Sequence, residues 1–274
     1  MEFIRIENLV SGYKDQFLLK SITLTLPKSS FLGIIGPNGS GKTTLLKTIA
    51  GILKPFSGTI YLNHRDLFSL NNKDRSRKIA YVSQFVDNKD IKVMDYVLAG
   101  RLPHFKKFQI FETQKDIEIS RKFMNFFGIE KFKDRFMYEL SGGQQQVVAI
   151  CSALVQEPEL LLLDEPTAHL DLNYQIKILD LIQELNTQMN ISIISIFHDL
   201  NLASEYCNYL ALLRDGELFK FGTPREVLRY DILEEIYKTV IVTDINPVSG
   251  NPIVLPASKM SLKSSLQDDY DDRT

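Results

Sequence analysis

The most constraining feature of this sequence is a glycine-rich stretch, GPNGSGKT at 36–43, which directly follows the apolar run FLGII at 31–35. The stretch matches the phosphate-binding pattern G-x-x-x-x-G-K-[ST], and the run is typical of a strand buried on both faces of a parallel sheet. Glycines let backbone N–H groups converge on phosphate oxygens, while Lys42 would reach the β- and γ-phosphates and the Thr43 hydroxyl would bind Mg²⁺. The predicted nucleotide contacts are Gly36, Pro37, Asn38, Gly39, Ser40, Gly41, Lys42, Thr43 and Thr44.

Two carboxylates follow a second apolar run. The run LLLL at 160–163 ends in Asp164 and Glu165, and open α/β sheets bind ligands at the carboxyl ends of their strands. Asp164 can hold the Mg²⁺ that bridges the phosphates, and Glu165 is placed to orient or deprotonate an attacking water. Taken alone, Asp164 and Glu165 could simply be the exposed acidic end of a strand, so their assignment to nucleotide chemistry depends on the presence of the glycine-rich loop.

Length and charge exclude several classes of protein. The chain has 274 residues, of which 44% are hydrophobic and 24% charged, so it can bury a core and one domain is the default. The formal net charge is -2, so the chain lacks the strong positive potential that drives non-specific binding to nucleic acid, and no nucleic-acid partner is expected. The apolar runs are too short to span a bilayer.

The hydrophobic pattern predicts an α/β fold. Apolar and polar residues alternate at 3–9 and 21–26, which predicts a pair of antiparallel strands at the start of the chain. Further strands are expected at 58–62, 79–82, 160–163, 191–196 and 209–214. Between 93 and 156 the apolar spacing instead indicates a helical insertion. Two short strands, 241–245 and 252–255, flank a turn-rich hexapeptide and predict a terminal hairpin. The polar, acidic segment 258–274 is expected to be a disordered tail.

The stretch Leu140–Ser141–Gly142–Gly143–Gln144 resembles the signature sequence of the ATP-binding cassette (ABC) ATPases. The resemblance implies a P-loop NTPase core, with a single nucleotide-binding domain over 1–257 and a helical subdomain over about 85–157. It also implies that two copies pack head to tail, so that Ser141 and Gly143 of one cap the γ-phosphate held by Lys42 of the other. A Ser-Gly-Gly sequence is also an ordinary helix N-terminus.

Four further positions fall in the family's order: Tyr13, Gln84, Asp171 and His198. By resemblance, Tyr13 would stack on adenine, Gln84 would contact Mg²⁺ and the attacking water, Asp171 would bridge the dimer, and His198 would grip the γ-phosphate. Each alone would be unremarkable, and their order carries the argument. The implied sites are catalytic: Glu165, His198 and Gln84; ATP-binding: the loop at 36–44, Tyr13, Ser141, Gly142, Gly143, Gln144 and Asp171; and metal: Thr43, Gln84 and Asp164.

The sequence departs from the commonest family pattern just after the signature. Gln145, Val147, Cys151 and Ser152 stand where many relatives carry Arg, Arg, Ala and Arg. These positions lie beyond the expected phosphate contacts, so the ATPase assignment is unaffected. They raise the question of how this helix is anchored.

The resemblance further points to a separately encoded importer subunit. The stretches at 98–104, 167–172, 198–203 and 246–252 are similar to ATPases that energise uptake of iron-siderophore complexes, haem or vitamin B12 (cobalamin). This implies ATP and Mg²⁺ as cofactors, a homodimer, membrane permease subunits, an extracytoplasmic substrate-binding protein acting indirectly, and location at the cytoplasmic face of the plasma membrane. The alternatives are an importer ATPase for zinc, manganese or molybdate, a soluble cassette ATPase acting on ribosomes or DNA, and a P-loop kinase.

Overall fold

The structure, a computed structural model, describes residues 2–13, 18–84 and 90–257. In these ranges the strands are β1 (Glu2–Gly12), β2 (Leu18–Pro27), β3 (Phe31–Ile35), β4 (Ser57–Leu62), β5 (Arg65–Asp66), β6 (Ile79–Val82), β7 (Leu160–Leu163), β8 (Ser192–Ile196), β9 (Tyr209–Arg214), β10 (Glu217–Gly222), β11 (Ile241–Ile245) and β12 (Pro252–Pro256). The helices are α1 (Lys42–Ile49), α2 (Asn72–Lys78), α3 (Val93–Ala99), α4 (Gln114–Phe126), α5 (Gly142–Leu154), α6 (Leu172–Met189), α7 (Leu200–Tyr206), α8 (Pro224–Val227) and α9 (Tyr230–Tyr237).

A six-stranded sheet in the order β10-β9-β3-β8-β7-β6 forms the centre of the fold. Its neighbouring strands pair in parallel except for β10, which is antiparallel to β9. A four-stranded antiparallel sheet, β2-β1-β4-β5, lies at the N-terminal end of the chain. Together with the inserted helices α3–α5, this confirms the predicted α/β class.

The central strands are largely apolar because both of their faces are covered, and Ser192 and Ser195 of β8 are the buried polar exceptions among the described residues of β3, β7 and β8. Leu160 and Leu162 of β7 face the core shared with α1 and the antiparallel sheet, whereas Leu161 and Leu163 face the core shared with α5 and α6. Successive side chains of a strand point to opposite faces, so a run of four leucines fills both cores. This doubly covered sheet is the rigid element from which the site residues project.

Most strand predictions are confirmed. The strands at 79–82, 160–163 and 209–214 have the predicted bounds, and the terminal hairpin is present with β12 one residue longer than expected. The strand predicted at 191–196 begins instead at Ser192. β5 and β10 were not predicted: β5 has two residues, and β10 is an edge strand with mostly half-exposed side chains. The predicted tail at 258–274 lies outside the described residues.

Candidate nucleotide site

The glycine-rich loop lies between β3 and α1, as the sequence predicts. Gly36, Gly39 and Gly41 have φ values of 142°, 77° and 103°, which side chains with a Cβ rarely adopt. A Cβ on Gly36 would also lie 2.2 Å from the carbonyl oxygen of Leu213, so the chain behind the loop leaves room only for glycine. The loop conformation thus depends on its glycines in the way that phosphate binding requires.

Lys42 begins α1 and turns its side chain back over the loop. Its Nζ donates to the carbonyl oxygens of Gly36 (2.9 Å) and Pro37 (3.0 Å), and the residue is only 6% exposed. Burial lowers the pKa of Lys42, while the nearby carboxylates of Glu165 and Asp164 oppose this shift. Carbonyls carry no net charge, so the ammonium is available to a phosphate placed in the loop.

Ser40 supplies a second feature suited to an anion. Its hydroxyl oxygen is buried, with no hydrogen-bond partner in the described part of the chain. Its backbone N–H donates to Pro37 and its carbonyl accepts from Gly216 N–H, at 3.2 Å in both cases. A buried polar group without a partner is costly, and a phosphate oxygen is one ligand that would satisfy it.

The predicted metal ligands Thr43 and Asp164 meet at the carboxyl edge of the sheet. Thr43 Oγ1 donates to Asp164 Oδ1 at 3.2 Å, and Tyr81 OH donates to Asp164 Oδ2 at 2.8 Å. Burial raises the pKa of Asp164, and the charge of Glu165 adds to this, although the hydrogen bonds from Tyr81 and Thr43 oppose it. A hydroxyl and a carboxylate are oxygen ligands that suit Mg²⁺, which usually binds one or two carboxylates together with phosphates and water.

The three predicted catalytic residues form one cluster. Gln84 Nε2 donates to Glu165 Oε2 at 2.7 Å, and His198 Nε2 lies 2.5 Å from Glu165 Oε1. Gln84 follows β6, Glu165 follows β7 and His198 follows β8, and these three strands are neighbours in the sheet. They line a cavity of about 420 Å³ that also includes Thr167 and His169. Glu165 has a φ of 52°, an uncommon backbone conformation that orients its side chain at this strand end.

The signature residues form the start of α5. Ser141 caps this helix, since Gln144 N donates to Ser141 Oγ at 3.4 Å and Ser141 N donates to Gln144 Oε1 at 3.0 Å. Gly143 packs so closely on Tyr174 that a Cβ there would lie 2.7 Å from the ring. Asp171 caps α6 by accepting a hydrogen bond from Tyr174 N at 3.0 Å. The structure therefore brings the signature close to the helix that Asp171 begins.

Tyr13 lies at the end of β1 and is 42% exposed. Its side chain is accessible to a ligand, and the next four residues lie outside the described ranges.

Two residues in the site were missed by the sequence prediction. Tyr81 donates to Asp164, and burial, followed by the charge of that carboxylate, raises the pKa of its hydroxyl, so it stays a donor. Tyr237 of α9 accepts a hydrogen bond from Gly36 N–H, and burial raises the pKa of its hydroxyl to about 12. A hydroxyl within the otherwise apolar strand IAYV was a detectable signal for Tyr81. The sequence offered none for Tyr237, which is far from the loop along the chain.

The fold and the loop together define a P-loop nucleotide-hydrolysing domain. Residues 19–168 match the ABC transporter family. The chain is 36% identical over 259 residues to the ferric enterobactin transport ATP-binding protein FepC of Escherichia coli, covering 93% of this chain and 94% of that protein. It is also 36% identical over 258 residues to the iron(3+)-hydroxamate import ATP-binding protein FhuC of Bacillus subtilis, covering 93% and 95%.

A solved ABC transporter assigned to the metal-chelate type, in an inward-facing conformation, has a similar chain. Its TM-score is 0.83 at 28% identity, and the match covers 95% of this chain and 99% of that one. This chain belongs to the ABC transporter family and is one of its ATP-binding, ATP-hydrolysing subunits. Among the helices of the described residues, none combines the length and the apolar character needed to cross a bilayer.

Proposed function

We propose that the protein is the ATPase subunit of an importer for iron-siderophore or related metal chelates, and that Glu165 activates the water that hydrolyses ATP. The carboxylate held between Gln84 and His198, beside the buried Asp164, carries the catalytic part of this proposal. The relatives FepC and FhuC, named for ferric enterobactin transport and iron(3+)-hydroxamate import, support the cargo class. Residues 1–257 form the single ATP-binding domain in this proposal.

ATP lies with its phosphates in the loop at 36–44 and its adenine on Tyr13. Lys42 and the loop N–H groups neutralise and orient the β- and γ-phosphates. Thr43, Asp164 and Gln84 would hold Mg²⁺, and the close approach of the Thr43 hydroxyl to the Asp164 carboxylate supports the first two of these ligands. When bound, the ion neutralises charge that develops on the transferred phosphoryl group.

Glu165 acts as the general base. Its carboxylate accepts a proton from the attacking water while the water oxygen bonds to the γ-phosphorus and the bond to the bridging β–γ oxygen breaks, giving ADP and phosphate. Gln84 fixes one carboxylate oxygen through its amide. His198, whose ring is half exposed at the edge of the cavity, orients the other oxygen and contacts the γ-phosphate when the site closes.

The site is completed by a second copy of the chain. Ser141 and Gly142 are exposed, and the signature is carried by α5 whereas the phosphate loop precedes α1. A helix N-terminus with a serine hydroxyl and glycine N–H groups suits an anion. In a head-to-tail dimer, Ser141, Gly142, Gly143 and Gln144 face the γ-phosphate held by the other copy, and Asp171 lies at the interface.

A groove beside Gln84 suits the permease. A cavity of about 320 Å³ lies between β6 and helices α3 and α5, and is lined by Tyr81, Tyr96, Gly100, Ser152 and Gln156 among others. Because the cavity adjoins β6, which precedes Gln84 by two residues, a permease segment bound there would respond to whether Gln84 contacts ligand. In this proposal the protein lies at the cytoplasmic face of the membrane, and the extracytoplasmic binding protein is coupled to it only through the permease.

The test is reconstitution with the permease that co-purifies from native membranes. In liposomes containing this complex, ATP should drive uptake of an iron-siderophore chelate delivered with its binding protein. The Glu165→Gln subunit should assemble equally well and give no uptake. Uptake of free zinc, manganese or molybdate in place of the chelate would contradict the cargo class, and recovery only with ribosomes or nucleic acid would contradict the transport function.

A further inference from the structure

The helical subdomain displays an apolar tip that the proposed catalytic cycle does not use. The segment 105–112, here called the aromatic loop, exposes Phe108 (89%), Ile110 (78%) and Phe111 (77%). Large apolar side chains exposed together, beside polar neighbours, mark an interaction surface. Side chains this exposed are free to insert into a partner.

The aromatic loop is held in place at its base. Arg101, just before it, forms a buried ion pair with Asp116, just after it, with Nε and Oδ1 3.0 Å apart. Arg101 also bonds to Glu157 at 2.8 Å. Within the loop, the Gln109 side chain accepts from Lys106 N and donates to the Phe111 carbonyl, each at 2.9 Å. The apolar residues are therefore displayed by an ordered turn.

A basic surface lies beside the aromatic loop. Lys106 and Lys107 are exposed within it, and α2 packs against its base through Lys73 on the Phe105 carbonyl and Arg77 on the Pro103 carbonyl. These bonds to uncharged groups leave the positive charges uncompensated. The basic residues on the two elements, apart from the ion-paired Lys78, are Lys73, Arg75, Arg77, Lys106 and Lys107, against the acidic Asp74 and Glu112. A local positive excess in a chain of charge -2 indicates a negatively charged partner.

We propose that the aromatic loop and α2 form a contact with the anionic lipid surface of the membrane. Aromatic and aliphatic side chains insert at the boundary between headgroups and acyl chains, and neighbouring lysines and arginines bind anionic headgroups. The position of the aromatic loop agrees with a membrane contact, because Gly100, which lines the proposed permease groove, is five residues before the loop. That positional point rests on the proposed function, whereas the exposure and the charge do not.

The test uses the full chain and lipid vesicles without a permease. The protein should sediment with phosphatidylcholine vesicles that contain phosphatidylglycerol, should bind pure phosphatidylcholine much less, and should dissociate as salt is raised. The pair F108S/F111S and the pair K106E/K107E should each lower binding by about fivefold or more. Val248→Ser, at a site 94% exposed on the terminal hairpin, and Lys220→Glu, on the opposite edge strand of the central sheet, are matched controls that should bind as the wild type does.

Unchanged ATPase turnover and melting temperature would show that both paired variants are folded. Binding of the variants equal to that of the wild type, or no preference for the anionic vesicles, would overturn the lipid contact. Loss of permease association in detergent with vesicle binding intact would instead identify a protein partner and also overturn it. None of these outcomes affects the transport function, which is tested by chelate uptake.

Discussion

The Nε2 atom of His198 lies 2.5 Å from Oε1 of Glu165. The second carboxylate oxygen accepts from Gln84, so the carboxylate is oriented from both sides by groups that follow neighbouring strands. The base proposed here is thus positioned before a substrate arrives, and positioning is a large part of general-base catalysis.

Replacing Glu165 by Gln should remove the base and keep the shape of the side chain. We expect ATP turnover to fall by about 100-fold or more, while the affinity for MgATP changes little. Single-turnover assays and nucleotide titration measure the two quantities. Glu184→Gln, on an exposed position of α6, is the matched control and should turn over normally. Wild-type turnover in the Glu165 variant would refute the assignment of the base.

Replacing Lys42 by Ala should weaken nucleotide binding. The buried ammonium contacts two uncharged carbonyls, and in the proposed site it would form charge-assisted bonds with phosphates in the loop. The loss of such bonds predicts roughly a 10- to 100-fold lower affinity for ATP. Titration with a fluorescent nucleotide measures it, and Lys54→Ala, at an exposed position, serves as the control. An unchanged affinity would show that the loop does not bind the phosphates.

Asp116→Asn should destabilise the helical subdomain in a pH-dependent way. Burial raises the pKa of Asp116, but hydrogen bonds from Thr113 and the pairing with Arg101 outweigh it, so the folded-state pKa is lowered. The carboxylate therefore stabilises the fold above its unfolded pKa of about 3.9, and this contribution is lost as the pH falls through the lower folded value.

At pH 7 the cost of that substitution should be about 3 kcal/mol, because the buried Arg101 keeps only the half-exposed Glu157 as an ionic partner. Denaturant unfolding at pH 7 and below pH 4 measures it, and the gap between wild type and variant should shrink in acid. Asp180→Asn is the control, because the Asp180 carboxylate is exposed and accepts a hydrogen bond from the Tyr206 hydroxyl. A gap that stays constant or grows in acid would contradict the pairing.

Gly100→Ala should disturb the packing of α3 on α5. A Cβ on Gly100 would lie 1.9 Å from the backbone carbonyl of Ser152, a contact that only movement of a helix can relieve. Overpacking of this kind costs about 1–3 kcal/mol. Thermal unfolding measures it, with Gly142→Ala as a control for stability alone, since a Cβ there meets nothing within 4 Å. Equal melting temperatures would contradict the close approach.

The fold was largely predictable where burial dictates the residue type. A doubly buried strand favours apolar residues along its whole length, and the bounds of Leu160–Leu163 are as predicted. The edge strand β10 has a partly exposed, irregular pattern, so the sequence carried no equivalent signal. Burial of both faces of a strand largely restricts its residues to apolar types, which the sequence reveals. The pairing of an edge strand depends instead on the neighbouring strand, and the residues of the edge strand itself need not reveal it.

The site residues were found as separate motifs, but their contacts were not predictable. The bonds of Glu165 to Gln84 and His198 depend on the parallel pairing of β6, β7 and β8, which brings together residues that are 81 and 33 positions apart in the chain. The question raised by the atypical signature helix is answered by two bonds: Gln145 donates to the Met137 carbonyl at 2.8 Å, and Ser152 to the Tyr96 carbonyl at 2.9 Å. The fully buried Cys151 packs in the core beside them.

The central claim, that two copies complete each ATP site, is tested most directly by the mass of the Glu165→Gln protein in solution. With MgATP it should sediment as a dimer, and without nucleotide as a monomer. Adding Ser141→Arg should block the dimer while ATP still binds, because Ser141 is exposed and the bulky cation would occupy the γ-phosphate position of the facing copy. An ATP-dependent dimer that forms equally well with Ser141→Arg, or a protein that stays monomeric at every ATP concentration, would contradict the claim.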